Sequence, residues 1–124
     1  MKKAIKITTN NEISIIAVPE KATALLNTLQ VAIGGWIELV HPRTFHNIEY
    51  LQGKVMVVDE EGICKRKKPN RIGTDLYGNY STITGDVLIL KDILTEEGMD
   101  VGGLTDDEAN QIYAYLIHKY KMEV

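Results

Sequence analysis

The sequence is short of the features that mark secreted and membrane proteins. Cys64 is the single cysteine, so no disulfide can form within the chain, and disulfide-stabilised secreted folds are disfavoured. No apolar run reaches the roughly 18 residues that a membrane span requires. The residues after Met1 alternate apolar with polar instead of forming the apolar core of an export signal. We therefore expect an intracellular protein with no membrane association.

The chain also lacks the surplus of positive charge that is typical of nucleic-acid-binding domains. Its formal net charge is −3, which provides no broad basic face. One stretch is nevertheless basic (Lys65, Arg66, Lys67, Lys68, Arg71), and the last third of the chain is acidic (Glu96, Glu97, Asp100, Asp106, Asp107, Glu108). Both groups are interpreted as solvated surfaces, or the basic stretch as a local anion site. No aromatic residue is interleaved with the basic stretch, so a nucleic-acid partner is not favoured.

Sequence signatures of catalysis are missing too. The chain has no phosphate-binding or dinucleotide-binding glycine motif, no paired C-x-x-C, no H-E-x-x-H and no G-x-S-x-G. His41 and His46 could ligate a metal together with Glu38 or Glu49, but they offer no defined third ligand. Cys64 has no neighbouring histidine in sequence to activate its thiol. We therefore predict no enzymatic activity, no catalytic residue, no metal and no cofactor.

The sequence does contain enough apolar residues for one hydrophobic core. A length of 124 residues with 44% hydrophobic and 25% charged residues is ordinary for one globular domain, and we predict a single domain over residues 1–124. Alternating apolar residues predict a hairpin across Asn10-Asn11. A helix is expected from near Pro19 to Gly34-Gly35, because its leucines recur at helical spacing. The predicted strands are 2–8, 12–18, 36–40, 54–58 and 86–90, with a polar loop and part of a further strand in 41–52.

The last helix has the clearest start signal in the chain. Thr105 and Glu108 have the spacing of a capping box, and Leu104 and Ala109 that of a hydrophobic staple. An apolar stripe follows at helical spacing (Ala109, Ile112, Tyr113, Leu116, Ile117, Tyr120). Because strands and helices do not alternate regularly, we predict an α+β fold: a mainly antiparallel sheet with two main helices, the C-terminal one packed on the sheet.

Five short motifs occur in a characteristic order. They are Gly34-Gly35-Trp36-Ile37-Glu38, Val58-Asp59-Glu60-Glu61-Gly62, Pro69-Asn70-Arg71-Ile72-Gly73-Thr74, Gly85-Asp86-Val87 and Leu104-Thr105-x-x-Glu108-Ala109. Together they resemble the pattern G-G-[YW]-I-E, V-N-E-E-G, N-R-x-A-T, G-D and L-T-x-E-E-A of a family of small phage and mobile-element proteins with a domain of unknown function. Asp59 and Gly73 depart from that pattern, which has asparagine and alanine there. A role that requires the asparagine amide is therefore not carried over.

The motif order and the chain size are also similar to phage anti-defence proteins of the first Thoeris-inhibitor type. That resemblance implies a sponge in the cytoplasm of the host bacterial cell. It would capture a cyclic ADP-ribose isomer, and by extension cyclic oligonucleotides, without cleaving them. A homo-oligomer is expected, a dimer or a multiple of it. Two alternatives stay open: a protein-interaction module that inhibits a host factor, and a nucleic-acid-binding accessory protein.

The residue types that such a ligand needs are present in the motifs. Arg71 and Arg43 would hold phosphate, with Arg71 preferred because it follows a structured Pro-Asn turn. Asn70 would read a ribose or a base edge, and Thr74 would add a hydroxyl. The base would stack on Trp36 or Tyr77. The candidate ligand-binding residues are thus Trp36, Arg43, Asn70, Arg71, Thr74 and Tyr77.

Several of these residues also have a structural interpretation. A tryptophan that follows a Gly-Gly bend into a strand, as Trp36 does, is more often a core residue than a stacking platform. Asn70 is equally suited to capping a short helix that starts near Ile72. The segment 60–62 is predicted as a hairpin turn in which Gly62 has a positive φ, and Gly85-Asp86 as a further turn.

Overall fold

The predicted strands form one antiparallel sheet with helices on both faces. The computed structural model describes residues 1–121. Its elements are β1 (Lys2–Ile7), β2 (Ile13–Val18), α1 (Ala22–Ile33), β3 (Ile37–Val40), two short 3-10 helices (Arg43–Asn47 and Glu49–Leu51), β4 (Lys54–Asp59), α2 (Arg71–Leu76), β5 (Val87–Thr95), β6 (Gly98–Gly102) and α3 (Asp106–Lys119). The strand order is β2-β1-β5-β4-β3, with β6 paired to β5. The α+β prediction is confirmed, and the C-terminal helix α3 packs on β1 and β2.

The sheet separates two apolar clusters. Because side chains alternate along a strand, Val55 and Val57 of β4 face α1, whereas Met56 and Val58 face the opposite side. The first cluster contains the buried residues of α1 (Leu25, Leu29, Ile33), and the second those of α2 and α3 (Ile72, Leu76, Ala109, Ile112, Leu116). The short helix α2 thus packs on the sheet through Ile72 and Leu76, while Arg71 and Asp75 on its other side are exposed.

Local signals explain where the two long helices begin and end. Gly34 ends α1 in the left-handed conformation, with φ 83°, as the predicted glycine stop requires. At the start of α3, the Thr105 hydroxyl accepts the N–H of Glu108 at 3.2 Å, and the Glu108 carboxylate accepts the N–H of Thr105 at 2.9 Å. The predicted capping box is confirmed. No helix within residues 1–121 is both long and apolar enough to cross a membrane.

The structure differs from the sequence predictions in four places. Helix α1 begins at Ala22 rather than near Pro19, residues 43–51 form 3-10 turns rather than a strand, and β6 was not predicted. Residues 60–62 form a turn but not a hairpin, because the next strand, β5, begins only at Val87, and Gly62 does not have a positive φ. The prediction for Gly62 is wrong because this glycine serves close packing: a Cβ there would lie 3.1 Å from the carbonyl oxygen of Thr84.

The first turn of α3 also holds a carboxylate that connects the helix to the sheet. Glu108 accepts a hydrogen bond from Lys91 at 3.0 Å and lies 3.7 Å from the ammonium of Lys54. Burial raises the pKa of Glu108, but the hydrogen bond from the N–H of Thr105 and the ammonium of Lys91 outweigh burial. The pKa is held at about 2, below the 4.5 of an unperturbed glutamate. The ionised carboxylate therefore stabilises the contact of α3 with β4 and β5.

Glu108→Gln should lower the free energy of unfolding by about 2 kcal/mol at neutral pH, because glutamine keeps the cap but not the charge. The pKa is lower in the folded chain than in the unfolded chain, so this stabilisation is present above about pH 4.5 and is lost as the pH falls toward 2. Urea unfolding of both proteins at neutral and strongly acidic pH measures the difference. Glu97→Gln, in the exposed turn between β5 and β6, is the control. An equal difference at both pH values would show that the charge of Glu108 contributes nothing.

Candidate functional site

Four strand ends meet at one end of the sheet. Ile37, at the start of β3, pairs with Asp59 at the end of β4, and Ile7, at the end of β1, pairs with Val87 at the start of β5. The chain leaves the sheet after Asp59 and returns at Val87, so residues 60–86, including α2, lie between these strand ends. Four of the six candidate residues lie in this segment: Asn70, Arg71, Thr74 and Tyr77.

A buried carboxylate holds the first part of this segment in place. The side chain of Asp59 has no exposed surface, and it forms ion pairs with Lys65, at 3.1 Å, and with Lys67. The backbone N–H of Glu61 donates to it at 2.8 Å. Burial raises the pKa of Asp59, but the hydrogen bonds from Lys67, Glu61 and Lys65 together lower it below its ordinary value. Asp59 is therefore the ionised centre of a structural cluster.

The same two lysines also cap the end of α1. Lys65 donates to the carbonyl of Gly34 at 3.2 Å, and Lys67 donates to the carbonyl of Ile33 at 2.6 Å. Cations at this end of a helix are stabilised by the exposed carbonyl groups. Two of the five residues of the basic stretch are thus paired inside the molecule, which argues against Lys65 and Lys67 as the predicted local anion site.

Asn70 is fully buried, and every polar atom of its side chain is used by the backbone. Its Oδ1 accepts the N–H of Gly73 at 2.8 Å and so caps α2, as the structural interpretation predicted. Its Nδ2 donates to the carbonyls of Ile7 and Gly85, both at 3.0 Å. The residue ties α2 to the ends of β1 and β5. Because its donors and acceptor are occupied, we leave Asn70 out of the proposed ligand site.

Thr74 connects α2 to the segment around Ile83, which leads back to β5. Its hydroxyl accepts the N–H of Ile83 at 2.9 Å and lies 3.4 Å from the carbonyl of the same residue. The same two segments are also joined through the backbone. The N–H of Asn70 donates to the carbonyl of Ile83 at 2.7 Å, and Pro69 and Thr84 form an isolated antiparallel bridge. The Thr74 hydroxyl therefore has an internal partner, although its side chain still lines a cleft.

That cleft, which we call the α2 cleft, lies between α2, the end of α3 and the loop after α2. It has a volume of about 550 Å³ and is lined by Pro69, Arg71, Ile72, Thr74, Asp75, Asn79, Thr82 and Tyr120. Arg71 is exposed, and within residues 1–121 its guanidinium forms no ion pair or hydrogen bond. Arg71, Thr74 and Asp75 are three and four residues apart and so share one face of α2.

One wall of the α2 cleft is a tyrosine bound to a carboxylate. The hydroxyl of Tyr120 donates to Oδ2 of Asp75 at 2.6 Å. Burial raises the pKa of Tyr120, and the hydrogen bond to Asp75 and its negative charge raise it further. Tyr120 is therefore neutral at any physiological pH, and Asp75 keeps one carboxylate oxygen free of that bond.

Arg43 and Tyr77 lie on another cleft, which we call the Tyr80 cleft. It has a volume of about 320 Å³ and is lined by His41, Pro42, Arg43, Tyr77 and Tyr80. Arg43 is exposed and, in the described part of the chain, has no ion-pair partner. The two candidate arginines therefore do not converge on one cleft. Arg71 with Thr74 lines one, and Arg43 with Tyr77 lines the other.

Trp36 is not in the core, so that structural interpretation is wrong. Its exposed fraction is 65%, and it immediately precedes the edge strand β3, which has β4 as its only neighbour in the sheet. Trp36 does not line either of the two clefts. A third cleft of about 290 Å³ lies between β3, the turn 60–64 and the loop 81–84, and it too lacks Trp36. The stacking role of Trp36 stays a prediction.

The residues of these clefts that were not among the sequence candidates include Asp75, Tyr80 and Tyr120. Asp75 could have been found from its helical spacing to Arg71. Tyr120 was assigned only to the apolar stripe of α3, which its ring does join. No signal in the sequence places it beside Asp75, 45 residues away. Within residues 1–121, no three His, Cys, Asp or Glu side chains are close enough to hold a metal ion.

Comparison with known proteins gives one match. A family model described as "Domain of unknown function (DUF3846)" matches residues 1–117. No curated protein and no solved structure matches the chain.

Proposed function

The chain belongs to the DUF3846 family, and we propose that it is a binding protein that captures a cyclic ADP-ribose isomer in the α2 cleft and does not cleave it. The observation that carries the proposal is the position of Arg71. Its neighbours Asn70 and Thr74 have their polar groups occupied by the backbone. The guanidinium of Arg71 has no such partner within residues 1–121, and it lines a cleft of about 550 Å³.

An anion at Arg71 would use donors that the fold leaves free. The planar guanidinium can donate two parallel hydrogen bonds to one phosphate group, which a lysine cannot do. A phosphate placed beside Asp75, one turn further along α2 than Arg71, would be repelled by its carboxylate. We therefore assign the phosphates to the Arg71 end of the cleft, and a ribose hydroxyl to the free oxygen of Asp75. The volume is within the range of small-molecule sites.

The groups around this cleft favour retention of the ligand over its hydrolysis. Hydrolysis of a phosphate or glycosidic bond needs a positioned general base, usually with a general acid. Asp75 is the one carboxylate among the residues that line the α2 cleft, and no histidine lines it. Asp75 already accepts a hydrogen bond from Tyr120, and the raised pKa of Tyr120 makes its hydroxyl a weak general acid. These features support a sponge and not an enzyme.

The biological setting of the proposal comes from the motif resemblance. We propose an anti-defence protein of phage origin that acts in the cytoplasm of the host bacterial cell by removing a signalling nucleotide. We also propose a homo-oligomer, a dimer or a multiple of it, and extend the ligand class to cyclic oligonucleotides. Arg43 and Tyr77, predicted for the same ligand, line a separate cleft and are not needed for this assignment.

The test is recovery of the captured molecule. Purified protein is mixed with cyclic ADP-ribose isomers or cyclic oligonucleotides, freed of unbound ligand by filtration and then heat-denatured, and the released molecule is identified by mass spectrometry. We expect an intact cyclic ADP-ribose isomer in near-stoichiometric amount. A linear product would identify an enzyme, and no retained nucleotide would overturn the proposal.

A protein-interaction module is the second candidate, and one surface feature favours it. Leu94 and Met99 are opposite each other in the β5–β6 hairpin and are 80% and 65% exposed. Glu96 and Glu97 lie in the turn between them. An exposed apolar pair beside acidic residues is suited to binding a host protein with a basic rim. Failure of nucleotide capture would move this candidate to first place.

A further inference from the structure

The Tyr80 cleft has the composition of a binding site, although the proposed capture of a cyclic nucleotide makes no use of it. Tyr80 is 69% exposed, so most of its ring surface is accessible to a ligand. The ring of Tyr80 meets that of Tyr77 edge to face, with centroids 6.3 Å apart and planes at 87°. An edge-to-face contact leaves one face of a ring available for a further partner.

A glycine makes this arrangement of the two rings possible. Gly78, between them, has φ 93°, a backbone conformation that residues other than glycine rarely adopt. A Cβ at residue 78 would lie 2.9 Å from the ring of Tyr80. The chain therefore turns back sharply after Tyr77 and lays Tyr80 beside it. This turn packs on Thr44, whose methyl group is 3.4 Å from the same Cβ position.

The other wall of the cleft is fixed to the end of α2. The hydroxyl of Thr44 donates a hydrogen bond to the carbonyl of Leu76, and Pro42 is buried at the start of the first 3-10 helix. Between these two anchors, Arg43 projects from a rigid turn and is exposed. Within residues 1–121, its guanidinium has no carboxylate partner. The side chain of His41 extends the rim, and its Nε2 donates a hydrogen bond to the carboxylate of Asp92 at 2.9 Å.

We propose that the Tyr80 cleft is a second binding site, separate from the α2 cleft, and that it takes an aromatic ring bearing a phosphate, as in a nucleoside monophosphate. The ring stacks on the free face of Tyr80, and the guanidinium of Arg43 holds the phosphate. Stacking of a base on an aromatic side chain and a charged contact of arginine with phosphate are both common in proteins that bind nucleotides. The volume of about 320 Å³ admits one base with its sugar phosphate rather than a dinucleotide.

Titration of the full chain with AMP, followed by calorimetry, tests this site. Tyr80→Leu and Arg43→Gln should each weaken AMP binding about tenfold or more, because each removes one of the two contacts. Tyr80→Phe should bind AMP as the parent chain does. Adenosine and ribose 5-phosphate, which each lack one of the two groups, should both bind more weakly than AMP.

Matched controls separate this site from general effects and from the α2 cleft. Tyr50→Leu changes another exposed tyrosine with an aromatic neighbour, Tyr115, and Arg66→Gln removes an exposed arginine outside the Tyr80 cleft. Both should leave AMP binding within about twofold. Arg71→Ala should also leave it unchanged. Unfolding curves verify that Tyr80→Leu is folded. If Tyr80→Leu does not fold, Arg43→Gln still tests the site, because Arg43 is exposed.

Three results would overturn the inference: no AMP binding at millimolar concentration, AMP binding that survives both Tyr80→Leu and Arg43→Gln, or AMP binding that is lost in Arg71→Ala alone. The first two results do not bear on capture of a cyclic nucleotide in the α2 cleft, whereas the third would place the phosphate of AMP at Arg71. Conversely, failure to retain any cyclic nucleotide leaves the AMP result unaffected, so the two proposals fail separately.

Discussion

Arg71→Ala should lower the affinity for a captured cyclic ADP-ribose isomer about a hundredfold, because a charged hydrogen bond to phosphate contributes roughly 2 to 3 kcal/mol. The fold should be unaffected. Arg71 is exposed and, within residues 1–121, makes no hydrogen bond or ion pair. Its removal leaves no buried group without a partner, so the free energy of unfolding should change by less than about 0.5 kcal/mol. Equilibrium dialysis with the isomer and urea unfolding measure the two quantities.

The matched control is Arg66→Ala, which removes the same side chain from the same basic segment. Arg66 is exposed and does not line the α2 cleft, so affinity should fall less than about twofold. Arg71→Lys keeps the charge but not the planar pair of donors, and it should lie between the parent chain and Arg71→Ala. If Arg71→Ala alone leaves the affinity unchanged, the phosphate assignment is wrong.

Local signals in the sequence predicted most elements of the fold. The capping box of α3 and the glycine stop of α1 each depend on residues within one turn of the helix end, so nearby spacing was sufficient. Strand β6 was missed because Gly98–Gly102 contains two glycines and only two larger apolar residues, Met99 and Val101, which is too short an alternation to indicate a strand. It is a strand only through its pairing with β5, which the sequence of the segment does not indicate.

The candidate site was predicted less completely, since its roles depend on contacts between distant residues. The motif that contains Asn70, Arg71 and Thr74 was found in the sequence, but nothing in it shows which side chains face inward. The partner of Asn70 on β1 is 63 residues away. The sequence also does not show that Asp59 pairs with Lys65 and Lys67, although an aspartate at this position departs from the family pattern. Burial therefore decided between the structural and the ligand-binding interpretation of each residue.

Asn70→Ala should lower the free energy of unfolding by about 4 kcal/mol, which is a large share of the stability of a domain of this size. Loss of a helix cap costs about 1 kcal/mol. The carbonyls of Ile7 and Gly85 would lose their donor, and each buried acceptor without a partner costs roughly 1 to 3 kcal/mol. Because Asn70 is fully buried, no solvent replaces these bonds unless water enters the space that the side chain leaves. Urea or thermal unfolding measures the loss.

Asn70→Asp separates the two roles of the side chain. Aspartate still accepts the N–H of Gly73 and keeps the cap, but it cannot donate to the two carbonyls and places a charge beside them. It should therefore destabilise the protein as much as alanine does, although the cap remains. Asn110→Ala, at an exposed position of α3, should change stability by less than about 0.5 kcal/mol. If Asn70→Ala unfolds within about 1 kcal/mol of the parent chain, the amide is not what joins α2 to β1 and β5. Asn70 would then be available to a ligand, as the sequence first suggested.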